Sequence, residues 1–134
     1  MPSPAEPFRA AEEAALRAST ALLTAMGGDR VRYYTAVPAN TAPPYVVGGI
    51  HEIADDSGGC GRDHTIVATL RWFGTDADQV RRMGDAIIDA LFVELPITGH
   101  ETVLVEMETP EAYRTEPDGS SSGLVGFRYE TSAL

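Results

Sequence analysis

The sequence predicts an α+β fold, with a mainly antiparallel sheet of about five strands and two helices packed on it. Two segments, residues 8–26 and 77–92, carry apolar residues at the spacing of an α-helix. Shorter segments rich in β-branched and aromatic residues lie between and after them. The resulting order is α-β-β-β-α-β-β, which lacks the repeated βαβ units of a doubly wound parallel sheet.

The first helix is predicted over residues 8–26. Gly27 and Gly28 stop it, because glycine adopts the left-handed cap conformation without penalty. Residues 1–7 contain three prolines and little to bury, so we expect a flexible N-terminal arm there and a single domain over residues 8–134. One face of the helix carries Ala11, Ala15, Ala18, Leu22 and Met26, whereas Arg9, Glu12, Glu13 and Arg17 fall mostly on other faces.

Three strands are predicted between the two helices, over residues 31–37, 45–54 and 64–73. Two prolines directly before the second strand bar a helix there, and the pair Gly48-Gly49 predicts a bulge within it. The better core candidates of the third strand alternate along it, as Ile66, Ala68, Leu70 and Trp72.

The second helix is predicted over residues 77–92, and Thr75 with Asp78 resembles a capping box at its start. Two strands follow it, over residues 102–109 and 124–130. The apolar stripe of the helix consists of Val80, Met83, Gly84, Ile87, Ile88 and Leu91. In the fourth strand Val103, Val105 and Met107 are predicted on one face, with Glu106 and Glu108 on the other.

The chain is acidic, with 20 Asp and Glu residues against 10 Arg and no Lys, and its formal charge is -10. Stable nucleic-acid binding requires clustered basic residues, and this sequence offers only the pair Arg81-Arg82 and scattered single arginines. A surface along which DNA slides without sticking instead benefits from negative charge. No apolar run approaches the roughly 20 residues that span a membrane, so we expect no membrane partner.

No catalytic or metal-binding motif is recognisable. Cys60 lies nine residues after His51 and four before His64 in a glycine-rich loop, a spacing that favours a solvated hairpin loop over a zinc site. Its thiol has no supporting base motif nearby, and a single cysteine excludes an internal disulfide. We therefore predict no enzymatic activity, no metal and no cofactor.

The polar loop over residues 55–63 is a candidate protein interface, because long polar loops on a rigid sheet often carry contacts. Its charged residues are Asp55, Asp56, Arg62 and Asp63. A passive connection between two strands is an equally open interpretation.

Several short motifs follow one another in order along nearly the whole chain. They are Gly27-Gly28, Tyr34-Thr35-Ala36-Val37-Pro38, Pro43-Pro44-Tyr45-Val46-Val47-Gly48, His64-Thr65-Ile66-Val67, Trp72-Phe73, Tyr113-Arg114, Pro117-Asp118-Gly119 and Gly126-Phe127-Arg128-Tyr129. In this order and spacing the sequence resembles the tail-completion or tail-terminator proteins of long-tailed phages and of gene transfer agents. The proline-rich start and Cys60 are not part of that pattern.

The resemblance implies a virion structural protein that assembles as a homo-oligomeric ring, commonly a hexamer. Such a ring caps the head-proximal end of the tail tube, stops its polymerisation and provides the surface for head-tail joining. The implied partners are the tail tube protein and the head-tail connector or stopper protein, and DNA passes through the ring without specific binding. The implied location is the virion, and the host cytoplasm during assembly. We interpret Glu106 and Glu108 as residues of an acidic lumen or subunit rim.

Two other functions stay open at the level of sequence. A neck or head-completion (connector) protein of the same particle is also a small mixed fold that forms rings. A small ligand-binding α+β module would instead use an apolar cleft between the helices and the sheet. A hydrolase or isomerase is a third class, which no catalytic constellation supports.

Overall fold

The computed structural model describes residues 3–56, 58 and 62–134. The described residues form three helices and five strands, which agrees with the predicted α+β class and with the predicted order of helical and strand regions. In chain order the elements are α1 (Ala5–Arg17), α2 (Thr20–Met26), β1 (Tyr33–Tyr34), β2 (Tyr45–Asp55), β3 (Asp63–Gly74), α3 (Ala77–Leu91), β4 (His100–Thr115) and β5 (Ser121–Ala133). Among these residues, no helix is long and apolar enough to cross a membrane.

The five strands form one sheet in the order β1-β2-β3-β5-β4. β1 and β2 are parallel, and the other three pairings are antiparallel. β3 and β5 lie at the centre and pair without interruption from Asp63↔Ser132 to Gly74↔Ser121. The sheet is therefore mainly antiparallel, as the sequence predicts.

The helices cover one face of this sheet and bury the predicted core face of β3. Ile66, Ala68, Leu70 and Trp72 are all buried. Two buried hydrogen bonds fix α3 on the sheet near its two ends. The Trp72 indole N–H donates to the Val80 carbonyl at 2.9 Å, and the Tyr129 hydroxyl donates to the Leu91 carbonyl. The predicted apolar stripe of α3 thus faces the sheet.

The first helical region is broken into two helices, and the prediction of one continuous helix is wrong. α1 ends at Arg17, and α2 begins at Thr20 after an N-cap at Ser19. The Ser19 hydroxyl oxygen accepts a hydrogen bond from the Leu22 N–H at 3.1 Å. A serine cap satisfies an N–H group that would otherwise lack a partner at the helix start, so it favours a new helix at this position.

α1 begins at Ala5, three residues before the predicted start. Residues 5–7 of the predicted arm form its first turn, and residues 1 and 2 lie outside the described residues. Phe8 anchors this turn: it is fully buried, and its ring centroid lies 4.8 Å from that of His51 and 4.9 Å from that of Tyr129. Burial of the Phe8 side chain explains why the helix extends into the proline-rich start.

β1 covers only two of the residues predicted as a strand over 31–37. One cause is that the Val31 carbonyl accepts a hydrogen bond from the Arg17 guanidinium at 2.8 Å, in place of a strand partner. In β2 the predicted bulge is present. The register shifts between Val47 and Ile50, and Gly49 has a φ of 76°, in the left-handed region that glycine tolerates.

The N-cap of α3 is Asp76, one residue after the predicted Thr75. Asp76 Oδ1 accepts from the Gln79 N–H at 2.8 Å, and Gln79 Oε1 accepts from the Thr75 N–H at 2.8 Å. The reciprocal cap therefore uses Gln79 in place of Asp78, because the longer glutamine side chain reaches back across the first turn.

β4 is longer than the strand predicted over residues 102–109, and three register shifts interrupt its alternation. They fall between Thr102 and Leu104, between Met107 and Thr109, and between Thr109 and Ala112. Val103 lies in the first irregularity and is 56% exposed, so it does not share a face with Val105 and Met107 as predicted. Each bulge adds an unpaired residue and reverses the side chains that follow it.

Candidate protein-interaction surfaces

A buried carboxylate joins α1 to the edge of the sheet. Glu12 is fully buried, although the sequence analysis placed it mostly away from the apolar face. Its Oε1 accepts hydrogen bonds from the Tyr33 hydroxyl at 2.7 Å and from the Gly49 N–H at 2.9 Å. Its Oε2 lies 2.9 Å from His51 Nε2. One side chain thus connects α1, β1 and the bulge of β2.

The spacing of α1 contained the signal for this site. Phe8, Glu12 and Leu16 recur every four residues and are all fully buried, so they form one line along the helix. The charge of Glu12 concealed its position, because carboxylates are almost never fully buried unless they are paired. The site also requires glycine at position 48, where an added Cβ would lie 2.6 Å from Glu12 Oε1 and 2.4 Å from the Tyr33 ring.

The Glu12 site is structural in its geometry, because one fully buried carboxylate holds groups of β1 and β2 against α1. Burial, followed by the nearby charge of Glu12, raises the pKa of Tyr33 far above its usual value. The Tyr33 phenol therefore stays neutral and remains a hydrogen-bond donor. The site fixes the position of the β2 bulge and with it the outer strands of the sheet.

The second face of the sheet has no helix packed on it within the described part of the chain. We call this surface the open sheet face, and its apolar and aromatic members are Tyr34, Tyr45, Val47, Ile50, Val67, Phe73, Leu104 and Leu124. At one end of it Tyr45 packs on Phe73, with ring centroids 5.0 Å apart. The Arg71 guanidinium lies 5.5 Å from the centroid of the same Phe73 ring. Half-exposed aromatic and arginine side chains are typical of protein interfaces.

A cleft next to this aromatic end has a volume of about 360 Å³. It is lined by Arg71, Ala112, Tyr113, Arg114, Ser122, Gly123 and Leu124. Glu116 Oε1 accepts from Ser122 Oγ at 2.5 Å and from Arg114 Nε at 2.9 Å. These two hydrogen bonds lower the pKa of Glu116, that of Ser122 having the larger effect. Arg71 Nε is buried and has no hydrogen-bond partner among the described residues.

Asp55 ends β2 and Asp63 begins β3, and Asp56 and Arg62 lie between them at the end of the β2–β3 hairpin. Asp56 and Asp63 hold the base of the hairpin, where the Asp56 N–H donates to the Asp63 carbonyl at 2.8 Å. Asp56 also accepts from the Thr65 hydroxyl, and Asp63 Oδ1 accepts from Ser132 Oγ at 2.8 Å. These carboxylates thus have structural roles in addition to any role in an interface.

Glu106 lies on the open sheet face, directly opposite Arg128 of β5. Arg128 Nη2 is 4.0 Å from Glu106 Oε2 and 2.7 Å from Glu130 Oε1. The hydrogen bond to Glu130 raises the pKa of Arg128 most, and the negative charge of Glu106 raises it further. Glu108 lies in the second irregularity of β4 and is exposed. The two predicted glutamates therefore lie close together along β4, but Glu106 is in a regular strand pair and Glu108 is in a bulge.

The histidines of the predicted loop region do not converge on a metal site. His51 contacts Glu12, whereas the ring of His64 lies near that of His100, with centroids 6.5 Å apart. Within residues 3–56, 58 and 62–134, no group of three His, Cys, Asp or Glu side chains is arranged to hold a metal ion. Cys60 lies outside the described residues.

Comparison with known proteins links this fold to tail completion. Residues 13–131 match the family model described as tail completion protein gp17. A chain of the virion of the native gene transfer agent (GTA) particle is 22% identical, with a TM-score of 0.75 over 93% of this chain and 94% of that one. The gp17 protein of bacteriophage SPP1 is 20% identical, with a TM-score of 0.58 over 93% of this chain and 88% of that one. No curated protein matches the sequence.

We predict that Glu12→Ala lowers the free energy of unfolding by about 3 kcal/mol or more, because three donors lose their common acceptor in a buried site. Glu13→Ala is the matched control. Glu13 lies next in the sequence and pairs with Arg9 and Arg17 at the surface, so its loss costs about 1 kcal/mol or less. Urea unfolding of both variants measures the difference. Equal small losses would contradict a central role for Glu12.

Proposed function

The chain belongs to the tail completion protein gp17 family, and from this membership we propose that it is a tail terminator of a phage or phage-like particle. The family match over residues 13–131 is the observation that carries the proposal. In this role the protein forms a ring at the head-proximal end of the tail tube. The ring stops tube polymerisation and provides the surface for head-tail joining.

The proposed ring is a homo-hexamer, and its partners are the tail tube protein and the head-tail connector or stopper protein. Cyclic symmetry suits a component that has to match a tube at one end. The proposed location is the virion, with assembly in the host cytoplasm. DNA passes through the ring without specific binding, and the formal charge of -10 supports this because like charges repel the phosphate backbone. We retain the prediction that the protein has no enzymatic activity and no cofactor.

We further propose that the hairpin end formed by Asp55, Asp56, Arg62 and Asp63 docks on the tube or connector protein. Their position at one extremity of a rigid sheet supports this role. Glu106 and Glu108 are proposed to face the lumen or a subunit rim. Their exposure on β4 supports that role, since exposed carboxylates keep a surface from retaining DNA.

Particles made without this gene test the proposed function. A terminator predicts tails of uncontrolled length in negative-stain micrographs, because nothing stops addition of tube subunits. Tails of normal length detached from full heads would contradict this and would indicate a neck or connector protein. The mass of the purified protein, alone and mixed with its tube protein, measures whether a ring forms.

Shortening the hairpin loop tests the docking surface. In the variant, a single glycine replaces residues 57–61. This glycine and Arg62 then form a two-residue hairpin loop, which suits a type II′ turn because that turn has glycine at its first central position. We expect the fold to remain intact, since loop length changes closure entropy only modestly, while binding to the tube or connector protein weakens. Circular dichroism checks the fold, and pull-down with each partner measures docking. Unchanged binding and full infectivity would remove this loop from the interface.

Charge reversal on β4 tests the proposed lumen. We expect the double variant Glu106→Arg and Glu108→Arg to slow DNA transfer or to disturb the ring, since cations placed along a DNA path bind phosphates. The matched control is Asp29→Arg with Glu94→Arg, which makes the same change in net charge at exposed positions outside the strands. Transfer efficiency and micrographs of the particles are compared for both. Equal efficiency in the two double variants would contradict the lumen assignment.

A further inference from the structure

Both edges of the sheet are poorly suited to strand addition. β4 contains three register irregularities and Pro110, features that interrupt pairing with an added strand. It also carries charges that repel an acidic neighbour, at Glu101, Glu106, Glu108 and Glu111. At the opposite edge, β1 is only two residues long. We therefore expect contacts between copies on the two faces of the subunit and not at its edges.

The open sheet face presents a cation without a matching anion at its aromatic end. Arg71 lies beside Phe73 and lines the cleft of about 360 Å³. The carboxylate nearest to this cleft, Glu116, already accepts hydrogen bonds from Arg114 and Ser122. Two guanidinium groups thus accompany one carboxylate, and Arg71 forms no ion pair with any residue that the structure describes. This end of the face is complementary to an acidic surface.

The helix layer on the opposite side carries two exposed carboxylates beside a single arginine, Arg82. α2 and α3 form a groove of about 430 Å³, lined by Thr20, Ala21, Thr24, Ala25, Arg82, Asp85, Ala86 and Asp89. Asp85 and Asp89 are exposed, one turn apart on α3, and neither forms an ion pair within the described ranges. Small side chains at Ala21, Ala25 and Ala86 leave room for side chains of another protein between these carboxylates and α2.

We propose that the aromatic end of the open sheet face of one copy packs on the helix layer of the next copy, with Arg71 paired to Asp85 and Asp89. This inference rests on the proposed ring and names the surfaces that form it. The two surfaces lie on opposite sides of the same two-layer subunit, so each copy offers both at once. A contact between two different surfaces of one chain is heterologous, and repeating it generates a ring when the rotation between copies closes and an open filament when it does not. The proposed ring requires the closing rotation.

The complementary charges favour a second copy over another protein as the occupant. The acidic groove and the arginine-bearing face occur on one chain, so no further component is needed to satisfy them. The aromatic side chains and the arginine at this end of the face are residue types that dominate binding energy in protein interfaces. The opposite charges also disfavour a contact between two helix layers, since the Asp85 and Asp89 carboxylates of both copies would then meet.

Two charge-reversed forms of the full-length chain test the pairing. The first is Arg71→Glu, and the second is Asp85→Arg with Asp89→Arg. Each alone is expected to weaken self-association by about tenfold or more, because like charges then meet at the contact. An equal mixture of the two restores the ring, since every contact then joins either the native pair or the reversed pair. Native mass spectrometry or light scattering, with the tube protein present if the ring requires it, measures the assembly.

The controls separate the inference from the proposed ring itself. Arg30→Glu reverses an exposed arginine in the α2–β1 connection and is expected to leave assembly unchanged. Arg71→Gln removes the cation with less risk to the fold and is expected to weaken assembly as well. Rings formed equally well by both reversed forms would overturn the face-to-face contact while the ring stands. Weakened assembly that the mixture does not restore would also overturn it. A wild-type chain that forms no ring with the tube protein would overturn both proposals.

Discussion

The buried carboxylate of Glu12 is the interaction on which the arrangement of this subunit depends. It receives hydrogen bonds from β1 and from the bulge of β2, and it also contacts His51. Without it, α1 would contact the outer strands only through apolar side chains, which are tolerant of sliding and rotation. A carboxylate with three directional partners removes that freedom. It fixes the edge of the sheet relative to the helices.

This constraint has a consequence for the shape of the subunit. The helices lie on one side of the sheet only, because α1 is held over β1 and β2 while α3 is held over β3 and β5. The other side remains uncovered, with aromatic side chains and Arg71 at one end and Glu106, Arg128 and Glu130 further along. Exposed apolar patches rimmed by polar residues are typical of interaction surfaces. The one-sided fold thus accords with the family to which the chain belongs.

The accuracy of sequence-based prediction differed between parts of the molecule for physical reasons. The core face of β3 and the stripe of α3 were predictable, because periodic burial leaves periodic apolar residues. The break between α1 and α2 at Ser19 was not predictable, because it depends on one hydroxyl group within a continuous helical pattern. The burial of Glu12 is not predictable from its charged side chain, because the partners that compensate the charge are 21 to 39 residues away in the sequence. The predicted alternation of side chains along β4 is wrong where bulges interrupt the strand. Apart from Pro110, the sequence contains no direct sign of these bulges.

The uninterrupted pairing of β3 with β5 has a mechanical consequence. Force applied along these strands loads a long ladder of hydrogen bonds in shear, and all of them have to fail together. β4 differs, because its three irregularities divide its pairing with β5 into short stretches that can peel apart one after another. A subunit under tension along these strands would therefore transmit load through β3 and β5, and would yield first at β4.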